Sequence, residues 1–305
     1  GFLCKIDYYT FLNKSWKNEC SLFVKCDENG NVVWSKNFQN DIIFLKGIYE
    51  TETGDILLTG SKIIDEKNTD FYILKINKNG EILSDKTFGG SSSDYFGLYA
   101  KYIDNKGLII FITTSSTDGI FSANKKSWPV SSVALINSSL EMKWQNVFDY
   151  CIDDSEIYIN DSFIYVASPG NSETNTPYFG FFTFYKIDLN GNTLIKNKME
   201  YTVFSPLGTE IKNNLVFMDN LKNKLILFNP EGEIIKETDI KAGEIRKIIT
   251  YDKYYLVLSA NILSLYGYGK TDYQIYNWEL VYSGYDYNGK LLWRKSFPLE
   301  KGTYS

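Results

Sequence analysis

Residues 71–83 read FYILKINKNGEIL, and their grammar decides the fold. An alternating apolar–polar run enters a turn centred on Gly80, and a second alternating run leaves it. Asn and Gly both tolerate positive φ, so Asn79-Gly80 between two such runs is a strong hairpin signal. The phrase occurs first as SLFVKCDENGNVVW at residues 21–34 and last as DYNGKLLW at 286–293. It also occurs around Ser138-Ser139, Asn190-Gly191 and Glu231-Gly232. The turns therefore sit at 30, 80, 139, 191, 232 and 289, with gaps of 50, 59, 52, 41 and 57 residues.

Two further strand-like runs precede each turn. In the clearest unit, Ile42 to Tyr49 and Asp55 to Gly60 come before Tyr72 to Ile76 and Ile82 to Phe88, with Thr51-Glu-Thr-Gly54 as the first turn. Four strands per unit of about fifty residues is the pattern of a propeller blade. The sequence predicts an all-β, six-bladed β-propeller of four-stranded antiparallel blades in one domain, residues 1–305. The predicted units are 1–38, 39–88, 89–148, 149–200, 201–240 and 241–297, with 298–305 closing the ring beside Phe2 to Ile6. That closure is expected because the first unit opens on what aligns as a second strand, and closed architectures remove unpaired sheet edges.

The phrase with Asp, then Gly, then Trp four residues on, as in Asp27, Gly30, Trp34 and in Asp286, Gly289, Trp293, resembles the tryptophan-bearing repeats of bacterial quinoprotein-type propellers. The second unit, through Lys86-Thr-Phe-Gly-Gly-Ser91, is similar to repeats of uncharacterised secreted or lipid-anchored bacterial propellers. The resemblance implies the fold and an extracytoplasmic or cell-surface location, with a lipid anchor outside this chain left open. It implies no cofactor, since no residues match the quinone-binding set. Ser84, Ile195 and Lys236 stand where three of the units lack the Trp.

Function is less legible. The chain is 44% hydrophobic and 23% charged, with a net charge of −5. Its only arginines are Arg246 and Arg294, and no basic stripe marks a nucleic-acid partner. No apolar run is long enough for a membrane span. The sequence contains no His, which excludes Ser-His-Asp and Cys-His nucleophiles and His-ligated metals. Cys4, Cys20, Cys26 and Cys151 read either as small buried hydrophobes or, in the first unit, as a disulfide. The turns at Asp27–Asn31 and Asp188–Asn192 look like calcium loops but lack the closing acidic residue, so hairpin chemistry explains them and no metal is expected.

The connections between second and third strands are long: Asp7 to Cys20, Ser61 to Thr69, Ser115 to Val130, Ser168 to Pro177 and Asn261 to Asn277. Insertions confined to one face of a repeat protein point to the binding face. Aromatic residues crowd them, and Trp16, Phe121, Trp128, Tyr178, Tyr266, Tyr268, Tyr273 and Tyr276 are the candidate ligand-binding residues. Rings with polar tips suit a protein or glycan partner. The reading is a non-catalytic binding or scaffolding propeller. The alternative is a carbohydrate-active enzyme using carboxylates in the central channel, drawn from residues such as Glu50, Asp94, Glu156 and Glu210. An enzyme would bring two or more carboxylates with raised pKa into a pocket, whereas a binding module would not.

Overall fold

The computed structural model describes the chain except residues 1, 13–14, 39–42, 125–128, 149–156, 171–180, 200–208, 212–213, 220–223, 241–243, 251–253, 268–273, 287–289, 299–301 and 305. The described residues form six antiparallel sheets in chain order. The first has three strands, β1 (Phe2–Leu12), β2 (Ser15–Cys26) and β3 (Val32–Asn37). The second is β4 (Ile43–Glu50), β5 (Ile56–Ile63), β6 (Thr69–Ile76) and β7 (Ile82–Phe88). The third is β8 (Asp94–Ile103), β9 (Gly107–Thr114), β10 (Val130–Ile136) and β11 (Met142–Val147), with a short 3-10 turn at Gly119–Phe121. The fourth is β12 (Ile157–Ile159), β13 (Phe163–Gly170), β14 (Phe181–Asp188) and β15 (Thr193–Met199). The fifth is β16 (Thr209–Ile211), β17 (Asn214–Asp219), β18 (Lys224–Phe228) and β19 (Ile234–Asp239). The sixth is β20 (Glu244–Thr250), β21 (Tyr254–Gly267), β22 (Gln274–Asp286) and β23 (Leu291–Pro298), and β24 (Gly302–Tyr304) adds to β22.

The chain divides into two units, 1–154 with 189–191 and 155–188 with 192–305. Within each, alternation along the strands explains how sheets stack. In the second sheet Leu57, Phe71 and Ile73 join Leu108, Ile110, Ile112, Ala134 and Ile136 of the third in one buried cluster. Their strand neighbours Ile56, Leu58, Tyr72 and Leu74 join Phe23 of the first sheet in another. Successive side chains point to opposite faces, so one strand feeds two cores. The fifth sheet repeats the device: Leu215, Ile226 and Phe228 pack with Tyr165 and Phe184 of the fourth, and Val216 and Leu225 with Tyr255, Val257 and Tyr285 of the sixth. Each such side chain contributes about 2–3 kcal/mol of burial. Fourth strands carry the opposite pattern, and Val32, Val33, Ile82, Leu83, Leu194 and Ile235 are exposed on them. Up-and-down sheets stacked face to face within each unit support a β-propeller.

The turns joining third and fourth strands share one construction. Asp27 Oδ1 accepts the amides of Asn29 and Asn31 at 2.9 and 2.8 Å, and Gly30 N donates to the Asp27 carbonyl at 3.2 Å. Asn77, Asn137 and Asn229 accept the equivalent pair of amides, and Asp188 and Asp286 accept the second of them. Positive φ falls on the single glycine, 84° at Gly30 and 74° at Gly80, and not on the Asn before it. The turn is thus specified by an Asx three residues before the glycine, which holds the loop by its carboxylate or amide oxygen, rather than by the Asn-Gly pair. The third unit puts Leu140 in this position at φ 60°, fully buried within the core of the second and third sheets. Left-handed backbone costs a non-glycine residue about 1–2 kcal/mol, less than burying a leucine returns.

Within the segment expected to close the ring, Gly302–Tyr304 pairs with Gln274–Tyr276 of β22. β23 covers β22 only from Glu279 onward, which leaves the far end of β22 as an open edge that the tail occupies. Cys4 and Cys26 are free thiols; Cys4 Sγ lies 3.7 Å from the Val24 carbonyl. Cys20 sits on β2 rather than in a loop, and Cys151 lies outside the described residues.

Leu140→Ala keeps the strained φ and removes the compensating burial. Urea unfolding should show a loss of about 2–4 kcal/mol. A loss under about 1 kcal/mol would mean the side chain is not what holds that turn.

Candidate functional site

The long connections take two forms. In the first and sixth sheets they are β-ribbons. β1 and β2 stay paired from Phe2↔Cys26 out to Leu12↔Ser15, and β21 and β22 from Tyr254↔Asp286 out to Gly267↔Gln274. No Gly or Pro interrupts residues 2–12 or 254–266, and that was the available signal in the sequence that these stretches are strands. Trp16 is a strand residue opposite Phe11, Tyr266 is opposite Ile275, and Tyr276 is opposite Leu265. In the second sheet the connection is the loop 64–68, and in the third its described part, 115–124, is a loop around the 3-10 turn. Phe121 lies in the latter but is 0% exposed, in the core with Phe88 and Leu108. A docking ring must reach solvent, so Phe121 is a core residue and not a ligand-binding one. Trp128, Tyr178, Tyr268 and Tyr273 lie outside the described residues.

At this end of the second and third sheets lies a polar junction whose residues are scattered through the sequence. The link Gly89–Ser93 joins β7 to β8, whose first residue is Asp94. The Asp94 side chain is 0% exposed. Thr114 Oγ1 donates to its Oδ1 at 2.5 Å, and Gly90 N donates to its Oδ2 at 2.8 Å. Ser116 Oγ stands 2.9 Å from both Asp94 Oδ2 and the Ser92 carbonyl, and accepts from Ser92 N at 3.0 Å. Asp118 Oδ1 accepts from Ser91 N at 2.7 Å, which holds its carboxyl below the usual range. Asn68 Nδ2 donates to the Gly90 carbonyl at 2.9 Å, and Ser93 Oγ to the Lys67 carbonyl at 3.1 Å.

Asp70 on β6 completes the group. Its carboxylate lies directly against Gly89, where an added Cβ would fall 2.1 Å from Oδ1. Burial, and then the negative charge of Asp94, raise its pKa to about 6, against the lowering effect of Asn68. Asp94 is also raised, by burial, and its hydrogen bonds pull the other way. Two carboxylates with raised proton affinity are what an enzyme would show. Here one is sealed from solvent and bonded to three donors, which gives it no face to present to a substrate. Of the other carboxylates considered, Glu50 is exposed at the end of β4, and Glu156 lies outside the described residues. Glu210 is on β16. Among the described residues no three Cys, Asp or Glu side chains form a metal-binding group.

The Trp of the repeat has a structural job. Trp34 Nε1 donates to the Lys78 carbonyl at 2.9 Å, and its ring covers Gly80 at the turn of the next sheet. Trp144 Nε1 donates to the Leu189 carbonyl at 3.0 Å, and its ring lies where a Cβ on Gly191 would fall, 2.6 Å away. Where Ser84 replaces the Trp, Lys75 Nζ reaches the Ser138 carbonyl at 3.1 Å. Trp293 is 39% exposed, and with Leu256, Leu280, Tyr282, Lys295 and Phe297 it lines an apolar cavity of about 360 Å³ on the sixth sheet.

No family model and no curated protein matches the chain. Among solved structures, the computationally designed Ika8 protein is similar over 94% of this chain and 85% of its own, at 8% identity and a TM-score of 0.50. The propeller of Dos1 aligns over 96% of this chain and 68% of its own, at 12% identity and TM-score 0.47. A streptogramin B lyase aligns over 98% and 87%, at 12% identity and TM-score 0.45. Likeness at these identities is likeness of fold. Among the described residues no helix is long and apolar enough to cross a membrane.

Gly191→Ala places a Cβ inside the Trp144 ring at a φ of 87°. It should lower stability by about 2–4 kcal/mol in urea titration, beyond the ~1 kcal/mol of a left-handed alanine alone. Trp144→Phe should cost about 1–2 kcal/mol through the lost N–H donor and ring area. Neutral behaviour of both would show that Trp144 does not hold the 189–191 turn.

Proposed function

We propose that the chain is a six-bladed β-propeller that binds or scaffolds a protein or glycan partner without catalysis. The partner docks at the end of the sheets that carries the second-to-third strand connections. The observation that carries this reading is the investment of the chain at that end. Two ribbons extend well past their sheets, and the second and third sheets add loops there, while the described third-to-fourth turns all stay tight. Loops and arms lengthened on one face of a repeat scaffold serve recognition. The state of the described carboxylates also favours binding over a carboxylate glycosidase, because Asp94 is committed to the junction between sheets. An extracytoplasmic or cell-surface location accompanies this reading, on the repeat resemblance.

The test uses the rings of the connections. Glycan arrays and pull-downs with the wild-type chain identify the partner. Trp128→Ala with Tyr273→Ala should then weaken binding at least tenfold, about 1.4 kcal/mol, with melting within roughly 2 °C of wild type. A melting loss of many degrees would make those rings core. Unchanged binding would move the partner to another surface.

A further inference from the structure

We propose that Asp70 is a proton switch for the junction between the second and third sheets: protonated, it seats against the Gly89 link, and ionised, it loosens that link. The geometry starts with two buried oxygens that lack partners. Asp70 Oδ1 and Asn68 Oδ1 are both shielded from solvent without a hydrogen bond. A buried acceptor left unpaired is costly, and a buried unpaired charge more so. A proton on Asp70 removes the charge and turns the unpartnered acceptor into a donor. Asn68, already a hydrogen-bonding neighbour of Asp70, carries an acceptor that is still unused.

Among the described residues, the charges that act on Asp70 are negative. Asp94 faces Asp70 from β8, and Asp65 from the 64–68 turn adds a second negative charge. Asp118 stands on the other side of the link, on Ser91 N. Lys62 is paired opposite Asp70 on β5, but its ammonium lies over the Tyr72 ring, 5.5 Å from the centroid. On β7, Lys86 lies over the Phe88 ring at 5.3 Å. The backbone of Gly89 leaves no slack, since its Cα faces the carboxylate at contact distance. Ionisation therefore puts a charge against a backbone that cannot solvate it. The relief is for 89–93 to move off, which frees the Asn68–Gly90 and Ser93–Lys67 bonds that fasten this link to the 64–68 turn. The turn lies at the proposed binding end, but the switch does not depend on that assignment.

The sign follows from linkage. A carboxyl whose folded pKa is raised from 3.8 to about 6 stabilises the fold less as pH climbs through that window, and nothing more is lost above it. Other carboxylates, such as Asp118, titrate in the opposite sense, so the informative quantity is the difference between variants. Asp70→Asn should match wild-type melting at pH 4.5 and exceed it by roughly 2–4 °C at pH 7.5. Carbon-13 carboxyl shifts of wild-type Asp70 should titrate near pH 6, and amide exchange of residues 89–93 should accelerate through the same range beyond the intrinsic base dependence. Asp94→Asn should move the Asp70 midpoint down. A wild-type midpoint below about 4.5, or a melting difference constant from pH 4.5 to 7.5, overturns the switch; the wild-type titration stands whether or not a variant folds.

Discussion

The middle strands of the second and third sheets have almost no solvent side, and the packing of that half of the chain follows from this. β10 is buried at every position, and β5 at its first six. A strand buried on both faces needs a sheet on each, and side-chain alternation then sorts its residues between two cores. Leu57 and Leu58 are chain neighbours that belong to different clusters. A one-residue slip in register would exchange the two sets, so packing on both sides fixes the pairing more firmly than a half-exposed sheet could.

Burial of the middle strands specifies how sheets face each other but not how far each slides along its neighbour. The aromatic contacts at the turns supply that restraint. A tryptophan on one sheet's fourth strand covers the turn glycine of the next, and its N–H reaches the carbonyl two residues earlier. Two demands therefore meet on one glycine: a left-handed backbone, and a bare Cα on which the ring rests. Phe184 does the same on Gly232 from a third strand, so the contact survives where the Trp is missing. Leu140 marks the third unit's departure, with a side chain turned into the core instead.

The repeat, its hairpins and the strand order within each sheet were legible because period-two alternation and turn chemistry are local. The turn itself was read one step off: the Asn before the glycine drew the eye, whereas Asp27, Asn77 and their equivalents hold the loop. The ribbons were misread as loops because length and aromatic content suggested insertion, although uninterrupted alternation without Gly or Pro argued for strands. The tail's pairing with β22 depended on those ribbons, since the open edge exists only if β22 outruns β23.

The junction at Asp94 was beyond the sequence for a different reason. Its partners come from residues 68, 70, 90, 92, 114, 116 and 118, brought together by three strands and three connections. None of them is unusual in its local context. Gly-Gly-Ser-Ser-Ser reads as a flexible linker, yet its amides at 90, 91 and 92 are donors to Asp94, Asp118 and Ser116. The small residues are needed because the carboxylates approach the backbone itself, as the space around Gly89 and Gly90 shows. A lone buried aspartate invites a catalytic reading, and its donors decide against it. Three hydrogen bonds replace the water that Asp94 loses, and they leave the cost of the second, less satisfied carboxylate on Asp70. An unequal pair of this kind arises wherever two sheets share one polar link and donors suffice for only one acid.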